Sequence, residues 1–283
     1  MKILITGANG MLGQDVTRAL RGVGHLVTQT DLAELDITEP ASCAAAVAGH
    51  DWVVNTAAYT AVDAAESHEA LAFAVNAIGA ANLGRAAHSA SARMVHVSTD
   101  YVFAGDASSP YAEDAPPAPR SAYGRSKAAG EWAVRAECPG AVIVRTAWLY
   151  GPGGPNIVQT MARLSREREE VAFVDDQRGQ PTTTFHLAQY ITELIQVDAP
   201  AGVYHGTCEG DVTWYGLARA VFEELGLDPQ RVQRISSAEY PRPAPRPAYS
   251  VLGHARTDAV GVTRLPHWRD ALRATIEGVV VSG

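Results

Sequence analysis

The sequence predicts an α/β protein with a doubly wound parallel sheet and a smaller C-terminal lobe. Short β-branched runs alternate with Ala- and Leu-rich stretches of helical length, which is the pattern of βαβ units. A glycine-rich turn follows the first run, and the alternation becomes irregular after about Gly151. Together these observations indicate a Rossmann-type domain over residues 1–150. Residues 151–283 then form mainly a second lobe, with some segments that return to the first domain.

Five apolar runs in the first domain predict parallel strands, because strands covered by helices on both faces are apolar throughout. They are KILIT, HLVTQT, DWVVNTA, RMVHVST and AVIVRTAW. The stretches between them predict helices, since they are rich in Ala and Leu. These helical segments are MLGQDVTRALRG, ALAFAVNAIGAANLGRAAHSA and AAGEWAVRA.

The second lobe begins with the turn sequence GPGGP and predicts a less regular series of elements. A helix is expected to end near Glu169, followed by the strand-like VAFVDD, a helix through FHLAQYITELI and the short run GVYHG. A last helix covers WYGLARAVFEELG, and Thr213 is placed to cap its N-terminus.

Composition excludes several classes of protein. The chain has 283 residues and a formal net charge of −8, so it offers no basic surface for a nucleic acid backbone. Its N-terminal apolar run is too short for a signal peptide or a membrane span, which predicts a cytoplasmic protein without a membrane partner. Cys43, Cys138 and Cys208 are odd in number and widely spaced, so we expect reduced structural thiols and not a disulfide framework.

The motif GANGMLG predicts a dinucleotide-binding turn. It follows the first strand directly and precedes a helix, with glycines at Gly7, Gly10 and Gly13. Glycine allows the backbone to turn tightly and to approach a pyrophosphate, whose charge is met by the N-terminus of the next helix. Met11 and Leu12 are expected to line the phosphates.

The end of the second strand bears on the choice between NADH and NADPH. Thr30 and Asp31 stand close to the acidic position about 20 residues beyond the glycines, where a carboxylate accepts the ribose 2′-OH and repels a 2′-phosphate. Capping of a turn is the alternative role of Asp31. No arginine follows nearby, which favours NADH without excluding NADPH. Asp36 and Ile37 are candidates for contact with the adenine.

Thr99, Tyr123 and Lys127 form the candidate catalytic group. Thr99 ends the fourth strand, at the edge where open α/β sheets bind ligands. Tyr123 and Lys127 are one helical turn apart, so both can face one nicotinamide ribose, and the ammonium is expected to lower the pKa of the phenol. Lys127 is one of two lysines in a chain with 21 arginines, which indicates a site for a compact cation.

Seven segments resemble, in this order, the dTDP-4-dehydrorhamnose reductase family of the extended short-chain dehydrogenases. They are GANGMLG, NTAAYTAVDAAE, STDYVFAG, YGRSK, RTAWLYG, DDQRGQPT and RPAYSVL. The resemblance spans essentially the whole chain. It implies an NADPH- or NADH-dependent reduction of the C4 ketone of dTDP-4-dehydro-6-deoxy-L-mannose to dTDP-L-rhamnose, with residues 1–150 holding the cofactor and residues 151–283 forming mainly a substrate-binding lobe.

The resemblance also implies individual roles. Tyr123 is the proton donor, Lys127 its partner and Thr99 a donor to the carbonyl oxygen. Further positions match cofactor contacts at Ala58, Tyr59, Thr60 and Val97, and substrate contacts at Asp100 and Trp148. The alternative to substrate contact for Trp148 is a position in the hydrophobic core. Arg246 either binds the substrate diphosphate or lies in a solvated Pro-rich turn.

Some alternatives remain open at this point. Another NDP-4-ketosugar reductase, an NDP-sugar epimerase or dehydratase, and a non-catalytic cofactor-binding subunit would share the fold. A dehydratase is expected to carry Asp-Glu after the threonine, whereas Tyr101 follows Asp100 here. Asp63 and Glu66 are expected to cap their helix. The chain is expected to be a monomer or weak homodimer.

No metal is predicted. Asp15 fits a place where some members of the family bind magnesium between subunits, but His186 stands where an acid is expected. His205 and Cys208 are close in sequence but lack further ligands nearby, so ordinary packing is expected for both.

Overall fold

The computed structural model describes residues 1–281. In that part of the chain the strands are β1 (Lys2–Thr6), β2 (Leu26–Thr30), β3 (Trp52–Asn55), β4 (Arg93–Thr99), β5 (Val142–Thr146), β6 (Leu149–Tyr150), β7 (Val171–Val174), β8 (Arg178–Gly179), β9 (Thr182–Thr183), β10 (Gly202–His205), β11 (Cys208–Glu209), β12 (Val212–Thr213), β13 (Val232–Ile235) and β14 (Leu265–His267). The helices are α1 (Met11–Gly22), α2 (Pro40–Val47), α3 (Val62–Ala65), α4 (Glu69–Phe73), α5 (Ala80–Ser89), α6 (Ala122–Glu137), α7 (Ile157–Glu167), α8 (Thr184–Gln196), α9 (Trp214–Glu224), α10 (Ala255–Ala259) and α11 (Trp268–Val281).

A parallel sheet with the strand order β10-β5-β4-β3-β1-β2 forms the centre of the molecule. From β1 the chain passes to β2 on one side, and it then returns to β3 on the other side. This reversal of direction opens a crevice at the carboxyl ends of β1 and β3, which is where ligands bind in such sheets. The predicted α/β fold with a doubly wound parallel sheet is therefore confirmed.

Two apolar layers cover the sheet, as the alternation of side chains along a strand requires. Ile3 and Ile5 of β1 face the layer that contains α1 and α8, while Leu4 faces the layer that contains α2 and α5. All three side chains are fully buried. No helix within residues 1–281 has the length and apolar character needed to cross a bilayer.

The long helical stretch predicted before β4 is interrupted. It forms α4, a π-helical turn over Ala74–Gly79, and then α5. Asn76 lies in this turn, and its side chain bonds with Tyr59 and Ser126. A π-helical turn changes the direction of the side chains by one position, and such turns are frequent at functional sites.

The second half of the chain returns to the sheet. β10, from the predicted GVYHG, pairs with β5 at the sheet edge, and α8 packs on α1. This half of the chain also contains short strand pairs. In one of them β7, from the predicted VAFVDD, pairs with β13. Thr213 caps α9 as predicted, accepting a hydrogen bond from the Gly216 amide at 3.1 Å. The division at residue 150 remains a prediction.

Candidate active site

The glycine loop between β1 and α1 has the shape of a cradle for a pyrophosphate. Gly7 has a φ of +70°, and a Cβ there would lie 2.6 Å from the amide nitrogen of Ala57 beyond β3. A Cβ on Gly13 would collide with the carbonyl of Gly7. Gly10 caps α1 without a side chain, so the first amides of the helix, those of Met11, Leu12 and Gly13, have no acceptor within the helix. These free amides suit a bound phosphate group.

Asp31 at the end of β2 stabilises this loop. Its Oδ2 accepts a hydrogen bond from the Asn9 amide at 2.9 Å, and its Oδ1 accepts one from the Leu32 amide at 2.8 Å. Thr30 donates to the Ile5 carbonyl at 3.1 Å. The structure thus gives Asp31 the capping contacts that the sequence left as an alternative, and its contact with a ribose stays a prediction.

The candidate adenine contacts lie further along the same segment. Asp36 is exposed and accepts hydrogen bonds from the amide and hydroxyl of Thr38. Ile37 is only 6% exposed and packs beneath Gly79. Little of its side chain is therefore open to a ring, and its contact with adenine also stays a prediction.

Asn76 holds the segment that follows β3, which contains Ala58, Tyr59 and Thr60. The Asn76 Oδ1 accepts from the Tyr59 amide at 2.8 Å, and its Nδ2 donates to the Tyr59 carbonyl at 3.1 Å and to Ser126 Oγ at 2.9 Å. Asn76 was not among the site residues expected from the sequence. The signal available there is a single polar amide within the apolar run ALAFAVNAIG.

The carboxyl end of β4 and the first turns of α6 bring Thr99, Tyr123 and Lys127 together. Ser121 caps α6, accepting from the Gly124 amide at 3.0 Å. Lys127 is 2% exposed, and its Nζ donates to the carbonyl of Val97 on β4 at 2.6 Å. Thr99 lies near enough to Tyr123 for their side chains to share a hydrogen bond.

Burial controls the ionisation of these groups. It raises the pKa of Tyr123, and the hydrogen bond with Thr99 opposes that rise. It lowers the pKa of Lys127 to about 8, against the opposing charge of Glu131. The expectation that Lys127 lowers the pKa of Tyr123 is therefore not met, because desolvation of the phenol dominates. A phenol that remains protonated is nevertheless suited to donate a proton.

Asp100 is a buried acid beside this group. Its Oδ1 accepts from the Thr99 hydroxyl at 2.9 Å, whereas its buried Oδ2 has no hydrogen-bond partner among residues 1–281. Burial raises the pKa of Asp100 to about 6, and the hydrogen bond from Thr99 opposes that rise.

Trp148 is held in an unusual position after β5. Its φ is +46°, a conformation that costs energy for a bulky residue. Its indole stacks on that of Trp214, with ring centroids 3.4 Å apart and planes 6° apart. Trp214 in turn donates to Gln177 Oε1 at 3.1 Å. Sequence reasoning missed Trp214 because it begins a helix 66 positions away.

Arg246 is anchored to α3. It forms an ion pair with Asp63 at 2.9 Å, its guanidinium lies 6.0 Å from the ring centroid of Tyr101, and its buried Nη1 has no partner among residues 1–281. Asp63 also pairs with Arg242. Glu66 accepts from the Ala122 amide of α6 at 2.8 Å. The expectation that Asp63 and Glu66 cap their own helix is therefore wrong, because both side chains bond to other segments and α3 has no side-chain cap.

The remaining polar candidates have structural partners. Asp15 is buried, accepts from Thr184 Oγ1 at 2.6 Å and pairs with Arg18. Across residues 1–281, no group of three or more His, Cys, Asp or Glu side chains is arranged to hold a metal ion. His186 contacts Thr183 at 2.6 Å, His205 contacts the Gly253 carbonyl at 2.8 Å, and Cys208 is buried.

Comparisons with known proteins agree over almost the full length of the chain. A family model described as the RmlD substrate binding domain matches residues 1–281. A dTDP-4-dehydrorhamnose reductase of Streptomyces griseus is 49% identical, over 95% of this chain and 91% of that protein. A dTDP-4-keto-6-deoxy-D-glucose reductase of Streptomyces niveus is 47% identical, over 95% of this chain and 94% of that protein. The crystal structure of a Bacillus anthracis dTDP-4-dehydrorhamnose reductase in complex with NADP is 37% identical, with a TM-score of 0.93 over 100% of this chain and 99% of that one.

Proposed function

The chain belongs to the dTDP-4-dehydrorhamnose reductase family, and we propose that it reduces the C4 ketone of dTDP-4-dehydro-6-deoxy-L-mannose to dTDP-L-rhamnose with NADPH or NADH. The observation that carries the proposal is the convergence of Thr99, Tyr123 and Lys127 at the carboxyl end of β4, beside a glycine loop with free helix amides. A family member named for another dTDP-4-keto sugar is identical to this chain to a similar extent, 47% against 49%. The sugar that the enzyme reduces is therefore a separate part of what we propose.

The residues divide the work of the reaction between them. When bound, the nicotinamide supplies a hydride to the ketone carbon, and negative charge then develops on the ketone oxygen. Tyr123 donates its phenolic proton to that oxygen. The Thr99 hydroxyl, which otherwise donates to Asp100 Oδ1, turns its proton to the same oxygen and stabilises the developing charge. Lys127, held by the Val97 carbonyl, would bind the nicotinamide ribose.

The other contacts orient the two ligands. The amides of Met11, Leu12 and Gly13 would receive the pyrophosphate of the cofactor, and Ala58, Tyr59 and Thr60 would contact the cofactor nearby. On the substrate side, Trp148 covers the sugar nucleotide and Arg246 receives its diphosphate through the unpaired Nη1. Asp100 is placed to accept a hydrogen bond from a sugar hydroxyl.

The test is cofactor consumption with a panel of dTDP-4-keto sugars. A reductase has no step that returns the hydride, so we expect one equivalent of NADP⁺ or NAD⁺ for each equivalent of sugar reduced, with the product's stereochemistry identifying the substrate. Conversion of a sugar without net oxidation of added cofactor would support an epimerase or dehydratase instead. Cofactor binding without turnover of any sugar would support the non-catalytic alternative.

We also propose that the protein acts in the cytoplasm as a monomer or weak homodimer. Cys43, Cys138 and Cys208 are all buried free thiols, which suits a reducing compartment. Sedimentation velocity over a range of concentrations, with and without magnesium, tests the oligomeric state. A tight dimer at the lowest concentration would contradict the proposal.

A further inference from the structure

A buried ion pair lies behind the Tyr123–Lys127 pair, and the proposed reaction does not use it. Glu131 on α6 and Arg145 on β5 are each 2% exposed. Arg145 donates from Nε to Glu131 Oε1 at 2.9 Å and from Nη2 to Oε2 at 2.7 Å. Taking two charges out of water is costly, and apolar residues of similar volume often stabilise a fold as well. Stabilisation of the fold is therefore a weak explanation for the presence of this ion pair.

The position of Glu131 connects it to the candidate catalytic group. It follows Lys127 by four residues on α6, so both side chains lie on the same face of the helix. Its Oε1 also accepts from the Ser98 hydroxyl at 2.6 Å. Ser98 stands on β4 between Val97, whose carbonyl binds the Lys127 ammonium, and Thr99. One carboxylate thus joins α6 to β4 and β5 at the level of the site.

The charges around Lys127 differ in their effect. From α6, Glu131 favours the charged ammonium, although burial dominates. From β4, the buried His96 contacts Asn55 through Nδ1, and burial and the nearby Lys127 lower its pKa, so it is neutral. From β5, Arg145 pairs with Glu131 and is not among the groups that shift the pKa of Lys127.

The remaining groups near the site do not change the charge of Lys127. The charge of Asp100 adds to the rise that burial causes in the pKa of Tyr123. The π-helical turn over Ala74–Gly79 presents Asn76, which is uncharged. Of the carboxylates in the described part of the chain, Glu131 is the one that acts on Lys127.

We propose that Glu131 is a positioning residue for the reaction: it fixes α6 on β4 and β5 so that Thr99 and Lys127 keep their places, and it supplies the counter-charge for the buried ammonium. This inference rests on the proposed roles of Thr99, Tyr123 and Lys127. Its own readout, the titration of Lys127, does not depend on activity.

The chain is well suited to a direct measurement, because Lys127 and Lys2 are its two lysines. Protein labelled with ¹³C-lysine should give two side-chain signals by NMR, and the exposed Lys2 is the internal reference. In Glu131→Gln, we expect the titration midpoint of Lys127 to fall by about one pH unit from its value near 8, because the counter-charge that opposes the effect of burial is lost. In the pH profile of kcat/KM, the limb that reports the ionisation of Lys127 should move by the same amount. An unchanged midpoint in a folded variant would overturn the inference.

Two further variants separate charge from folding. Glu131→Gln leaves Arg145 unpaired, so Glu131→Gln combined with Arg145→Gln removes both buried charges. The midpoint of Lys127 should still fall, because the charge of Glu131 and not that of Arg145 acts on it. Glu131→Asp keeps the charge and should restore the midpoint. Failure of both glutamine variants to fold would assign the pair to stability and overturn the inference as well.

Matched controls distinguish this inference from the proposed function. Glu137→Gln changes a partly exposed acid of the same helix, which pairs with Arg85, and should leave the midpoint and the pH profile unchanged. Lys127→Met tests the catalytic role itself. If Lys127→Met retains turnover, the proposed function of Lys127 fails. If Lys127→Met is inactive while the Glu131 variants fold and keep the wild-type midpoint, the positioning role alone fails.

Discussion

Replacement of Lys127 by arginine should disable the enzyme although the positive charge is kept. The side chain is 2% exposed, and its Nζ lies 2.6 Å from the Val97 carbonyl. A guanidinium is planar and wider than an ammonium, so it cannot take this place without displacing the carbonyl, the Tyr123 phenol or the bound ribose. Below pH 8 lysine and arginine are both cations here, because the pKa of Lys127 is about 8. A loss at pH 7 would therefore report geometry and not charge.

The size of the effect follows from the tightness of the site. A displacement of about 1 Å in a catalytic group costs on the order of 10²-fold in rate, which corresponds to about 2.7 kcal/mol of transition-state stabilisation. Cofactor affinity should weaken as well, because the ribose contact is disturbed. Initial rates of cofactor oxidation at pH 7, a fluorescence titration with NADPH and a thermal unfolding curve measure the three quantities separately.

The chain offers a matched control for this substitution. Lys2→Arg changes the second lysine, which is exposed at the start of β1, and should alter none of the three measurements. If Lys127→Arg turns over substrate and binds cofactor at near wild-type levels, Lys127 acts only as a basic side chain, and the assigned constellation is wrong.

Three further substitutions test other parts of the site. Tyr123→Phe should bind NADPH normally but lose roughly 10²-fold in kcat, since a positioned acid is removed while the ring remains; activity within a factor of two would exclude Tyr123 as the donor. Gly13→Ala should abolish cofactor binding in a titration, because its Cβ collides with the Gly7 carbonyl, whereas Gly22→Ala on the same helix has open space and should bind normally. Asp100→Asn should stabilise the fold at pH 7 by roughly 1–3 kcal/mol in urea unfolding. The pKa of Asp100 is raised from 3.8 to about 6 in the folded protein, so the wild type loses stability as the pH rises between these values. Asparagine has no charge to bury and avoids this loss. The gain should vanish below pH 4, and an equal gain at every pH would assign the effect to packing instead.

Local signals in the sequence were sufficient for the framework of the protein. β1, β4 and α1 coincide with the predicted KILIT, RMVHVST and MLGQDVTRALRG. Each depends on interactions within a few residues: β-branched side chains in a strand, or a glycine turn followed by a helix start. Tyr123 and Lys127 could be placed on one face for the same reason, because helical periodicity is a local property.

Tertiary structure decided the contacts that tune the site. Asn76 meets Ser126 across 50 positions, Asp63 meets Arg246 across 183, and Trp148 stacks on Trp214. Such pairs depend on how helices cross and strands align, and no local pattern encodes that geometry.

The ionisation of the catalytic group was decided in the same way. From the sequence, a lysine one turn from Tyr123 was expected to lower the pKa of the phenol, but packing buries the ring and raises it instead. Desolvation depends on everything that surrounds a group, including residues far away in the chain, whereas the spacing of two side chains on a helix depends only on the helix. The identity of the candidate residues was therefore available from the sequence, while their protonation and partners required the fold.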